Sequence, residues 1–202
     1  NSVLQTNEVA ASDGNKGSFY QPFATIDWAI GQCSAQDNNV IIVREGYTET
    51  IIAASGITCD VAGIYIVGTG QGSNRPTITF GTSTAASIVV SAANVTIKNI
   101  VGLAGIDGLT NPFHIQAAGC TLDIEWQDAS STVEAARAIL TTTAANNLNI
   151  DLKYVGFPAG NAAVNAIRLV GADNALINID AYGIFSTSII EFLTTACTNV
   201  TI

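Results

Sequence analysis

The chain has 202 residues, 48% of them hydrophobic and only 11% charged, with seven Lys+Arg against 16 Asp+Glu and a formal net charge of −9. This length is enough for one domain with a substantial core, and so few charges require the backbone polar groups to be paired in regular structure. The acidic balance and the lack of any basic patch exclude nucleic acid as an expected partner. Mean hydropathy is +0.37, but the apolar runs are short and broken by Thr, Asn, Ser, Asp or Gly, so no membrane span is expected.

In chain order, the first element is a helix. Tyr20-Gln-Pro-Phe-Ala-Thr-Ile-Asp-Trp-Ala-Ile-Gly-Gln-Cys places Phe23, Ile26, Ala29, Ile30 and Cys33 on one face, which predicts an amphipathic lid over about residues 22–34. Trp28 belongs to this lid. Residues 1–36 are read as an extension plus capping helix, and residues 37–202 as a repeat.

The repeat is a bend followed by alternating apolar residues. It reads Asn39-Val-Ile-Ile-Val, Gly63-Ile-Tyr-Ile-Val, Asn94-Val-Thr-Ile-Lys, Gly119-Cys-Thr-Leu-Asp-Ile, Asn147-Leu-Asn-Ile-Asp-Leu, Asn174-Ala-Leu-Ile-Asn-Ile and Asn199-Val-Thr-Ile. The anchors are 24, 31, 25, 28, 27 and 25 residues apart. Apolar residues one, three and five places after an anchor mark a strand with one buried face. Asn or Gly suits a bend with positive φ. Second strands are expected at Ser87-Ile-Val-Val, Phe113-His-Ile-Gln, Ala138-Ile-Leu-Thr, Ala166-Ile-Arg-Leu-Val and Ser188-Ile-Ile-Glu-Phe. Two short strands and a loop per repeat leave no room for crossover helices. The fold class is therefore all-β: a right-handed parallel β-helix with an N-terminal capping helix. The absence of Met leads us to expect a chain that starts after processing or was cut from something longer, and the lack of a second lid a solenoid that continues further or an end covered by another chain.

Phe23-Ala-Thr-Ile-Asp-Trp-Ala-Ile, Val40-Ile-Ile-Val-Arg-Glu-Gly-Tyr-Thr-Glu-Thr-Ile51, Ile64-Tyr-Ile-Val-Gly-Thr-Gly-Gln-Gly and Pro76-Thr-Ile-Thr-Phe-Gly resemble the opening of the pectin-lyase-like superfamily, and most of all its pectin methylesterases. These are framework residues, so the resemblance implies fold rather than activity. The esterase catalytic phrases are absent from the later coils, and no catalytic residue is carried over. The resemblance further implies kinship with phage tailspikes and appended virion proteins, and through them a homo-oligomer.

On one outward face, Lys98, Asp123, Asp151 and Asn178 should form one row, and Glu125, Lys153 and Asp180 another. With coils about 4.8 Å apart, Asp123 and Asp151 would be neighbours. They are low-ranked candidates for a hydrolytic carboxylate pair or a Ca²⁺ site. A charge ladder is the preferred reading, because opposite charges interleave. Trp126 with Glu125 and Asp128 is a weak sugar-stacking candidate, with packing under a loop preferred. His114, the one histidine, should face outward. Gly68-Thr-Gly-Gln-Gly72 precedes no helix and is read as a flexible turn between coils. Cys33, Cys59, Cys120 and Cys197 lack zinc spacing and are read as buried hydrophobes, with one disulfide possible. Asn94 and Asn199 match the glycosylation pattern but lie on expected strands. No metal or cofactor is expected. The function expected is a non-enzymatic structural or receptor- and glycan-facing module of a virion or cell surface, with other surface subunits as partners. The alternative is a polysaccharide lyase, esterase or hydrolase.

Overall fold

A computed structural model of the chain describes residues 9–193 and 196–202. It is a parallel β-solenoid of six coils. One sheet runs through β1 (Val40–Val43), β4 (Tyr65–Gly68), β7 (Thr96–Ala104), β9 (Thr121–Gln127), β11 (Asn149–Val155) and β13 (Leu176–Tyr182), with β2 (Thr48–Ile51) and β5 (Thr77–Phe80) joining it through β7. The second sheet stacks β3 (Ile57–Cys59), β6 (Ile88–Val90), β8 (Phe113–Ile115), β10 (Ile139–Thr141), β12 (Ile167–Leu169) and β14 (Ile190–Phe192). Each expected second strand is present. Every strand pairing between coils is parallel and joins equivalent strands, so like stacks on like.

The bends work through backbone geometry. Gly63, Asn94, Gly119, Asn147, Asn174 and Asn199 all have positive φ, a region that Gly and Asn enter at little cost. Their N–H groups climb the stack: Gly63 donates to Ala93 O, Asn94 to Ala118 O, Gly119 to Asn146 O, Asn147 to Asp173 O and Asn174 to Thr198 O. Asn199 donates from Nδ2 to Asn174 Oδ1, and Asn174 does the same to Asn147. The first anchor needs correcting. Asn39 is not the left-handed residue; Gln36 and Asn38 are, and Gln36 N donates to Ala62 O in the ladder. Asn39 instead caps the coil end by accepting from Ser34 N.

The first two coils are three-sided. A corner separates β1 from β2, and a longer one separates β4 from β5. In the third coil the corner shrinks to one bulged residue, Asn99, with φ 55°. Its Nδ2 donates to Gly68 O at 2.9 Å and Gly70 O at 3.1 Å, tying it to the corner below. From β9 onward the strand is straight. Gly68–Gly72 thus lies within a coil rather than between coils, pinned by Asn99 and by Thr69, whose Oγ1 accepts from Glu45 N.

The lid is α1 (Ile26–Gly31), shorter than the expected 22–34. Its start is fixed by side chains. Thr25 Oγ1 accepts from Trp28 N, and Asp13 accepts from Ala24 N and Thr25 N. Tyr47 Oη lies 2.9 Å from Ala24 O and 2.6 Å from Glu49 Oε2, its one proton shared between them, so the Gly46-Tyr-Thr-Glu49 phrase holds the lid in place. Ile26, Ala29 and Ile30 are buried while Trp28 faces out. Asp27 covers the edge of β3 by accepting from Thr58 N. Beneath the lid, Ile57, Ile66, Ile78, Ile88, Ile97 and Ile100 line a core void of only about 10 Å³. Cys33, Cys59 and Cys120 are free thiols; Cys59 and Cys120 are buried, whereas Cys33 and Cys197 are half-buried. No helix among the described residues is long and apolar enough to cross a membrane.

Candidate functional site

The outward rows have the expected register. Lys98, Asp123, Asp151 and Asn178 are consecutive partners, as are Glu125, Lys153 and Asp180. Asp123 and Asp151 are exposed on an open strand face, and Asn178 Nδ2 donates to Asp151 Oδ1 at 3.2 Å. Glu125 is better enclosed. Lys153 Nζ lies 3.2 Å from its Oε2, and Arg75 Nη2 lies 2.7 Å from the same oxygen. Burial opposes its charge, but hydrogen bonds from Gln127, Arg75 and Lys153 outweigh burial and hold the carboxyl below its ordinary range. Arg75 comes from the β4–β5 corner, outside the outward rows.

Trp126 and Asp128 sit inside the protein. The Trp126 ring is fully buried between Phe80 and Phe113, with centroids 5.5 and 6.4 Å away, so no face of it is open to a sugar. Its Nε1 donates to Asp128 Oδ1 at 3.0 Å; Ala135 N donates to the same oxygen, and Tyr154 Oη donates to Oδ2 at 2.7 Å. Asp128 is a hub joining the aromatic core to the loop of residues 128–138. Burial raises its pKa, the three donors oppose that, and nearby Asp107 adds to it. Burial, then the Asp128 charge, pushes the Tyr154 hydroxyl up as well.

The loops between the two sheets grow longer up to coils four and five: residues 52–56, 81–87, 105–112, 128–138 and 156–166 in coils one to five. They stack on one another through Gly108 N to Glu134 O, Ala136 N to Leu109 O, Asn161 N to Ser131 O and Val164 N to Ala136 O, each 2.8 Å. Between them opens a cleft of about 400 Å³, lined by Asp107, Glu134, Ala135, Ala136, Asn161 and Val164 among others. Asp107 and Asn161 are exposed at its mouth, and Asp107 Oδ1 accepts from Glu134 N and Asn161 Nδ2. Glu134 is only 4% exposed, and neither of its carboxylate oxygens has a hydrogen-bond partner. Burial, then the charges of Asp128 and Asp107, hold its carboxyl above the ordinary range.

No protein-family profile matches the chain, and no curated protein matches it. Among solved structures, a rhamnogalacturonan lyase is similar, at a TM-score of 0.47 and 13% identity over 88% of this chain. The chain spans 60% of that protein's length. The likeness carries no chemistry. His114 faces outward on β8, half-buried, where burial lowers its pKa and Gln116 Nε2 lies 3.1 Å from its Nδ1. Asp107, Glu134 and Asn161 were not foreseen. Their sequence signal is the extra length of the loops, the part of each repeat that varies.

Proposed function

We propose that this chain is a non-enzymatic structural module that presents a glycan-facing cleft at the surface of a virion or cell. The observation that carries this reading is the cleft over coils three to five. Two carboxylates and an amide, Asp107, Glu134 and Asn161, stand on loops already locked coil to coil. Carboxylate and amide groups are the hydrogen-bonding complement of sugar hydroxyls. A pre-formed site spares the ligand the entropic cost of ordering its walls. The Asp123–Asp151 pair, by contrast, lies on an open strand face that offers no walls to hold a sugar ring for hydrolysis. The reading includes association with further copies and with other surface subunits.

The test is glycan retention together with product analysis. The full chain is expected to be retarded by at least one hydroxyl-rich polysaccharide in affinity electrophoresis, without releasing oligosaccharides. The double variant Asp107→Ala/Asn161→Ala should weaken retention by about tenfold or more, the loss of one to two good hydrogen bonds. Release of oligosaccharides would establish the carbohydrate-active enzyme instead.

A further inference from the structure

The cleft is short of positive charge. None of its described lining residues is cationic, and the cation next in sequence, Arg137, is engaged elsewhere, donating from Nη1 to Thr110 O at 2.7 Å and Asn111 Oδ1 at 3.1 Å. Two carboxylates therefore border a partly desolvated space with no counter-ion from the protein. One of them, Glu134, is a buried carboxylate whose oxygens accept from nothing, although buried polar atoms ordinarily have partners. A cationic donor entering the cleft would both pair with these oxygens and offset the two charges.

Size decides which donor. A caged Ca²⁺ ion needs six to eight oxygens within about 2.3–2.6 Å. A cleft of about 400 Å³ with two carboxylates is far wider than that, and no group of three or more His, Cys, Asp or Glu is assembled for a metal among the described residues. Between the acids the walls are Ala135, Ala136, Ala162 and Val164, short side chains that leave room for a ring and cover its apolar face. We infer that the cleft binds a sugar bearing a free ammonium group, of the 2-amino-2-deoxyhexose class, with the ammonium between Asp107 and Glu134 and a ring hydroxyl on Asn161. The inference rests on the glycan-facing reading and names its ligand. Asp107 at the mouth meets the cation first. A turn of the Glu134 side chain then brings its carboxylate to the donors, and any proton it carried is released to the buffer.

The experiment is calorimetric titration of the full chain with chitosan tetrasaccharide and with its fully N-acetylated counterpart, at mildly acidic pH where the amine is protonated. Calcium chloride is titrated in parallel. The amine form is expected to bind about tenfold tighter or better, with proton release that differs between buffers of unlike ionisation enthalpy. Glu134→Gln and Asp107→Asn should each cut that preference to about threefold or less. Asp107 is exposed, so its variant keeps the test open if Glu134→Gln folds poorly. Asp60→Asn, which removes one distant surface charge, should leave the preference intact. Equal binding of both sugars would overturn the ammonium site and spare the glycan-facing reading. Binding of neither sugar would overturn the ammonium site, and retention on neutral polysaccharides then decides the glycan-facing reading separately. Calcium binding abolished by Glu134→Gln would make the cleft a cation site and overturn the inference.

Discussion

Two regions of the described solenoid are packed in different ways. The first two coils turn three corners, sit under a helical lid, and fill their interior with stacked isoleucines such as Ile57, Ile66, Ile78 and Ile88. Coils three to five turn two sides, carry long loops, and place Phe113, Trp126 and Tyr154 in their interior, with Phe113 and Trp126 packed on Phe80 of the second coil. Isoleucine columns need only like-on-like stacking, so each layer is nearly autonomous. The aromatic cluster spans several coils at once, because each ring reaches into the next layer. Its polar atoms also reach Asp128 and through it the loop that floors the cleft. One region makes the rod; the other positions side chains.

The largest effect is expected at the aromatic hub. Trp126→Ala removes a fully buried ring and leaves Asp128 Oδ1 short of a donor, costing about 3–5 kcal/mol. Urea denaturation should show it, and the cleft loop should lose amide protection with it. Next is Gly102, which pairs with Trp126 on the neighbouring strand. A Cβ there would lie 2.7 Å from the Trp126 ring and 2.9 Å from that of Phe113. Gly102→Ala should destabilise by about 1–3 kcal/mol through overpacking, while Ile78→Val in the isoleucine column costs about 0.5–1.5 kcal/mol. If Gly102→Ala proved the milder change, the aromatic region would be no more tightly coupled than the isoleucine region.

The acids of the second region differ in sign among themselves. Glu134 and Asp128 have raised pKa values. Each therefore binds its proton more readily in the folded than in the unfolded chain. Their contribution favours the fold below the ordinary carboxylate range and is lost as pH climbs through the raised values. Glu125 has the opposite sign: its contribution is present above the ordinary range and is lost as pH falls through its lowered value. Glu134→Gln should thus flatten the decline in Tm between acid and neutral pH. An unchanged pH profile would mean that Glu134 is solvated and charged.

Much of the rod was legible because its demands are local. A left-handed bend selects Asn or Gly, and a half-buried strand selects alternate apolar residues, so the anchors and the columns Cys120–Leu122–Ile124 and Leu148–Ile150–Leu152 follow from spacing alone. The same parity carried two places further puts Trp126 and Tyr154 inward, seven places after Gly119 and Asn147. Trp126, read as packed under a loop, is instead the last inward residue of its strand. Asn99 was hidden because it replaces a whole corner with one residue and shifts the parity of everything after it in β7. Asn39 mimicked an anchor because Gln36 and Asn38, side by side with it, do the bending. The cleft residues were illegible for a different reason: Asp107, Glu134 and Asn161 lie one repeat apart in loops that carry no recurring phrase, and only the stacking of coils brings them together.

The smallest effect tests the outward face. Lys153 is 56% exposed and lies 3.2 Å from Glu125, which already has Arg75 at 2.7 Å. An exposed cation sharing an acid with a better-enclosed arginine gains little Coulomb energy and pays for holding a long side chain, so Lys153→Ala should cost a few tenths of a kcal/mol. Arg75→Ala should cost more, because it leaves the enclosed Glu125 with only the screened lysine and Gln127. Added salt should erode the Lys153 contribution before that of Arg75. The corner of the first region would then be fastened to the straight strands of the second by Arg75, with Lys153 a spectator. If Lys153→Ala were the costlier variant, the outward row itself would hold the coils in register, and the division of labour between the two regions would dissolve.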